Sequence, residues 1–218
     1  MRLLPLEKRK KLASEINKEL KKLFPGELKT PLNYRNPFEL LVAVILSAQC
    51  TDNQVNKVTP ALFQRYKTLD DYVAARPEEF EKYVYSTGFY KNKTKHIIAA
   101  AQMVKERFDG KLPKTMDELL SIPGVARKTA NVVLGNAYGI VVGIAIDTHM
   151  KRLSNVLGLS DKTDPVTIEK DLMQILPQEE WMTFTYHLIT YGRTYCIART
   201  HDHQNCPLTD LVTAFHQV

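Results

Sequence analysis

The chain has 218 residues, 44% of them hydrophobic, which is enough to bury the core of one large domain or of two small lobes. Its 30 Lys and Arg outweigh 24 Asp and Glu for a formal charge of +6 and a pI near 9.1, a balance that favours a polyanionic partner, with nucleic acid first. The longest apolar runs, at 40–48 and 137–146, fall well short of the roughly 20 residues that cross a bilayer. The opening MRLLPLEKRKK has no secretion-signal pattern and three cysteines make no disulfide framework, so a cytoplasmic protein is expected.

In chain order, the first 23 residues place Leu12, Ile16, Leu20 and Leu23 on one face of an amphipathic basic helix, whose cations are read as a solvated face. The segment PLNYRNP at 31–37 is a lobe boundary. Asn36 before Pro37, with Glu39 following, then caps an apolar helix, and Thr51 with Gln54 caps the next. Ile97, Ile98, Ala101, Val104 and Phe108 recur at helical spacing. Thr115 with Glu118 opens a short helix over about 116–121, which stops at Pro123-Gly124. A second helix starts near Val125. The segment AYGIVVG at 137–143 is the second boundary, and Asp164 before Pro165 caps a later helix. No alternating pattern persists, so the fold class is all-α.

Arg127 and Lys128, in IPGVARKTANVV, fall in the first turn of that second helix, where a cation costs about 0.3–1 kcal/mol. Two helices joined by a tight turn present consecutive backbone N–H groups that can hold a phosphate without reading a base. An ordinary helix-helix turn with a solvated lysine is the alternative. Asp147, in AIDTHMKRL, again stands where an apolar run meets a helix start, and serves either as an N-cap or as a functional carboxylate.

The segments PGVARKTAN at 123–131 and IDTH at 146–149 together resemble the signature of the endonuclease III family of helix-hairpin-helix DNA glycosylases. The resemblance extends to NPFELLVAVILSAQCTDNQVNKVTPALF at 36–63, TGFYKNKTKHI at 87–97 and HLITYGRTYCIAR at 187–199, in the family's order. It implies a two-lobed helix-hairpin-helix glycosylase fold, with one lobe over 31–140 and the other formed by 1–30 and 141–218. The active site would lie in the interlobe cleft, where Lys128 and Asp147 face each other. Lys128 would be the nucleophile, its proton loosened by Arg127, the helix field and partial desolvation. Asp147 would stabilise the oxocarbenium-like sugar. Double-stranded DNA with damaged bases or abasic sites is the implied partner, oxidised pyrimidines the implied lesion, and the chain is expected to act as a monomer.

Gly124, Val125, Ala126, Arg127 and Thr129 are then the DNA-holding positions of the hairpin. Gln49 and Phe89 would be wedges filling the gap left by an extruded nucleotide. Phe89 replaces the usual family leucine, and a core aromatic after the Gly88 turn is the alternative reading. His149 either lines the pocket or packs locally. Lys91, Lys93 and Lys95 are phosphate contacts or solvated charge. Ala126 stands where the hairpin usually has a second glycine, and is tolerated if its φ is negative. An adenine glycosylase of the same superfamily would need a glutamate where this chain has Ala43. A non-catalytic helix-hairpin-helix module would have no use for Lys128 and Asp147 together.

Most relatives carry a [4Fe-4S] cluster on four cysteines near the C-terminus. Here Cys196 and Cys206 match two of those positions, while His203 and Val212 replace the others. Zinc on Cys196, His203, Cys206 and either His201 or His216 has acceptable donors but no usual spacing. The expectation is therefore no cofactor and no metal.

Overall fold

The computed structural model describes residues 3–26 and 29–217. Among them are twelve α-helices, three short 3-10 turns and no strand. The chain divides into two units, one made of residues 1–29 and 141–218 and the other of residues 30–140. No helix among the described residues is long and apolar enough to cross a membrane.

The unit formed by both ends of the chain begins with α1 (Leu6–Leu23). Leu12, Ile16 and Leu20 on its inner face are fully buried, as their spacing of four residues requires. This unit continues with α9 (Thr148–Val156), α10 (Pro165–Ile175), α11 (Trp181–Thr194) and α12 (Thr209–Gln217), with α1 packed against α10, α11 and α12. Trp181, Phe184, Leu188 and Leu172 fill its core.

The second unit contains α2 (Pro37–Ser47), α3 (Asp52–Arg65), α4 (Leu69–Val73), α5 (Pro77–Val84), α6 (Tyr90–Arg107), α7 (Met116–Leu120) and α8 (Arg127–Tyr138). Helix α2 is apolar on every side, and residues 39–46 are all buried, because α3, α6 and α8 surround it. Each buried Leu or Val contributes about 1.5–3 kcal/mol. The one carboxylate in that stretch, Glu39, is held by Arg35, whose Nε donates at 2.9 Å, while the Glu39 backbone N–H caps onto Asn36 Oδ1 at 2.9 Å. The pair in turn raises the Arg35 pKa above its ordinary value, chiefly through that hydrogen bond.

All four capped starts read from the sequence form. Besides Asn36, Thr51 Oγ1 accepts from Gln54 N at 3.2 Å, Thr115 Oγ1 from Glu118 N at 3.4 Å, and Asp164 Oδ2 from Thr167 N at 2.9 Å.

Candidate functional site

Between α7 and α8 the chain turns through Ile122, Pro123 and Gly124, and Val125 N donates to Ile122 O at 3.1 Å. Gly124 has φ +80°, and a Cβ there would stand 2.7 Å from the Cβ of His96 on α6. Only glycine fits, on both counts. Ala126 is the N-cap of α8 at φ −92°, just outside the helix, so alanine carries no strain where the family usually has glycine. No side chain caps this helix and no acid lies in its first turn. The amides of Lys128 and Thr129 therefore open from the helix end toward any bound anion, reinforced by the dipole. Val125 contributes less than expected, because its side chain is buried and its N–H is already engaged in the turn.

Lys128, at the second position of α8, is exposed, and Thr129 beside it is half-buried. The desolvation anticipated for the lysine thus does not come from the chain's own burial. Thr129 and Gly124 line a cavity of about 320 Å³ shared with Gln49, Phe89, Lys93 and His96. Gln49 and Phe89 both have left-handed backbone, with φ of 53° and 48°. Non-glycine residues in that region each cost about 1–2 kcal/mol. Phe89 is 64% exposed, so the alternative of a core aromatic fails.

Lys93 corrects the reading of its neighbours. Lys91 and Lys95 are exposed, but Lys93 is buried. Its Nζ donates to Leu46 O and Thr87 O, each at 2.8 Å. Burial lowers its pKa below the ordinary value. Those two carbonyls stand just before the loops that carry Gln49 and Phe89, so a side chain taken for surface charge is a brace beneath both. The apolar positions of 97–104 place Lys93 on the buried side of α6, a periodicity that could have identified it.

Asp147 is the N-cap of α9, its Oδ1 accepting from Met150 N at 2.8 Å. The segment entering this cap is fixed by burial of Ile144 and Ile146 and by Ile144 N donating to the buried Glu169 carboxylate at 3.1 Å. His149 lies in the first turn of α9. A Cβ at Gly192 of α11 would meet its Nδ1 at 3.1 Å and Leu153 Cδ1 at 2.8 Å, so glycine lets α11 close onto the face of α9 that holds His149.

The expectation of no metal is overturned. One donor atom from each of Cys196, His201, His203 and Cys206 comes within 4.8 Å of the others. Sequence spacing hid this, because the 3-10 turn at His203–Asn205, capped by Asp202, folds the segment back on itself. The fourth donor is His201. Val212, at the position compared with a cysteine, is buried in the apolar core.

An HhH-GPD superfamily base excision DNA repair protein model matches residues 42–178. Endonuclease III of Synechocystis sp. is 52% identical over 203 residues, covering 93% of this chain and 92% of its own. That of Bacillus subtilis is 47% identical, covering 83% and 82%. A solved non-covalent endonuclease III–DNA complex matches the structure with a TM-score of 0.88 at 42% identity, over 95% of this chain and 97% of its own. The chain belongs to the HhH-GPD superfamily, and within it to the endonuclease III family.

Proposed function

We propose that the chain is a bifunctional DNA glycosylase and abasic-site lyase of base excision repair, with Lys128 as nucleophile and Asp147 as the essential carboxylate. The observation that carries the assignment of residues is the helix start. A hairpin that only glycine can form delivers an uncapped, anion-binding helix end with an exposed primary amine in its first turn. DNA brought there by its phosphates sets the sugar near Lys128 and excludes water around it, which supplies the desolvation the free chain does not.

The neutral amine of Lys128 attacks C1′ as the bond to the damaged base breaks, and the base leaves with the electron pair and takes up a proton. Asp147 stabilises the cationic sugar in the transition state and assists the proton transfers. Ring opening gives an imine between Nζ and C1′. The imine acidifies C2′; loss of that proton expels the 3′ phosphate by β-elimination, and water then releases the lysine. A hydroxyl or thiol nucleophile forms no imine, which is why the lyase step requires the amine.

Gln49 and Phe89, in left-handed loops edging the cavity, are read as the side chains that enter the duplex when the target nucleotide leaves it. Strained backbone at two exposed positions supports a functional rather than a packing role. Oxidised pyrimidines are the proposed lesions, double-stranded DNA the partner, and the cytoplasm the proposed compartment. Borohydride reduction in the presence of an abasic duplex should trap a covalent protein–DNA adduct, and Lys128→Ala should abolish it. Normal trapping by the substituted protein would remove Lys128 from the mechanism.

A further inference from the structure

Cys196 and Cys206 are buried at 1% and 6% exposure, yet the segment between them is mostly exposed and contributes little to the core. Something other than apolar packing has to hold it. Two of its donor pairs are closely spaced, with Cys196 Sγ 3.7 Å from His203 Nδ1 and His201 Nε2 3.3 Å from Cys206 Sγ. The two imidazole rings lie 4.3 Å apart, tilted by 56°.

We propose that Cys196, His201, His203 and Cys206 hold a single tetrahedral Zn²⁺ that fastens the 196–206 segment to α9 and α11. Bond lengths of about 2.3 Å to sulfur and 2.0–2.1 Å to nitrogen put tetrahedral ligand atoms roughly 3.4–3.8 Å apart. The two sulfur–nitrogen pairs, at 3.7 and 3.3 Å, lie on either side of the roughly 3.5 Å these bond lengths give for such a pair, and all four atoms fit inside 4.8 Å before any ion draws them in. The four-cysteine [4Fe-4S] group expected of the family fits this donor set poorly. Half of the donors are imidazoles, and the third cysteine of the chain, Cys50, belongs to the hairpin-bearing unit. Ligands of a multi-iron cluster also bind different irons, which spreads them farther apart than ligands sharing one ion.

The surroundings orient the donor atoms. Arg152 of α9 donates from Nη1 to Cys196 Sγ at 3.4 Å, and its second nitrogen donates to Cys196 O, fixing the direction of the sulfur. His201 Nδ1 stands 2.8 Å from Arg199 O. A carbonyl only accepts, so the proton resides on Nδ1 and Nε2 is left as the lone-pair donor facing the site. His201 therefore binds through Nε2 and His203 through Nδ1.

Elemental analysis of the protein purified without added metal should give one zinc per chain and no acid-labile sulfide. Removal by a strong chelator should lower the melting temperature. Co²⁺ in its place should give the intense visible bands of a tetrahedral thiolate site. His201→Ala alters a half-buried donor that the core does not need, and should weaken zinc binding by more than the roughly 10–100-fold that loss of an outer hydrogen-bond partner costs. Arg152→Met should weaken it within that range. Iron with acid-labile sulfide, a Cys196–Cys206 disulfide in protein isolated under reducing conditions, or a metal-free chain whose melting temperature ignores the chelator would each overturn the proposal. Metal content is measured without DNA, so these outcomes are independent of whether Lys128 forms the adduct.

Discussion

Asp147 serves two purposes that a single substitution can separate. Its carboxylate caps α9 through Met150 N, and the proposed chemistry asks the same group to stabilise a cationic sugar. Asparagine caps about as well as aspartate but carries no charge. Asp147→Asn should therefore leave the melting temperature and DNA affinity near those of the parent, while slowing single-turnover base release on the order of 100-fold or more. Asp147→Ala should in addition lose about 1 kcal/mol of stability. Unchanged excision by the asparagine variant would leave Asp147 as a cap alone. At the hairpin, backbone conformation and the space beside His96 together set the requirement at Gly124. Gly124→Ala places a Cβ 2.7 Å from His96 Cβ on a backbone at φ +80°, and should cost about 1–3 kcal/mol along with much of the DNA affinity. Ala126→Gly, at φ −92°, should change affinity little, and a large gain would show that the usual family glycine does more than fit the turn.

Between residue and fold lie the two loops carrying Gln49 and Phe89. Gln54 Nε2 at the start of α3 donates to Ser86 Oγ at 2.8 Å, and the Lys93 ammonium joins the end of α2 to Thr87. Lys93→Met keeps the apolar stem but leaves two buried carbonyls unpaired, so it should cost about 1–3 kcal/mol and weaken binding to lesion DNA more than to plain duplex. The pH dependence has a definite sign. Burial holds the folded pKa of Lys93 below 10.5, so between the two values the unfolded chain binds the extra proton and stability at this site rises with pH. Lys93→Met should remove that increment from alkaline melting curves, and an unaltered curve would place the brace elsewhere. The capped helix starts were legible in the sequence because a cap is a local pattern of Ser, Thr, Asn or Asp three residues before its partner amide. The left-handed φ of Gln49 and Phe89 was not legible, since neither is glycine. Family resemblance pointed to these two positions, and their backbone geometry came only with the tertiary structure.

Across the whole molecule, the all-α character and the hairpin followed from local signals, whereas the convergence of Cys196, His201, His203 and Cys206 did not. Four donors separated as these are match no familiar spacing, and their meeting depends on a 3-10 turn and on burial of Cys196 and Cys206 in the core. Net charge, by contrast, was plain from composition, and its consequence can be measured on the intact chain. The excess of 6 positive charges is a sum over 30 Lys and Arg, many paired with nearby acids, as Lys10 is with Glu7 and Lys22 with Glu19. Such exposed pairs neutralise each other and attract little DNA. The hairpin amides and Lys128 offer unneutralised positive potential, and Lys91 and Lys95, both exposed, are added from the first turns of α6. Each phosphate neutralised contributes about 0.9 to the slope of log K against log salt, so three to five contacts give a slope of roughly −3 to −4.5. Replacing Lys91 and Lys95 by glutamine should reduce that magnitude by about 1 to 2 and weaken lesion and plain duplexes equally, because phosphate contacts carry no sequence. An unchanged slope in the double variant would return both lysines to solvated charge, and a slope near zero in the parent would refute binding through the backbone.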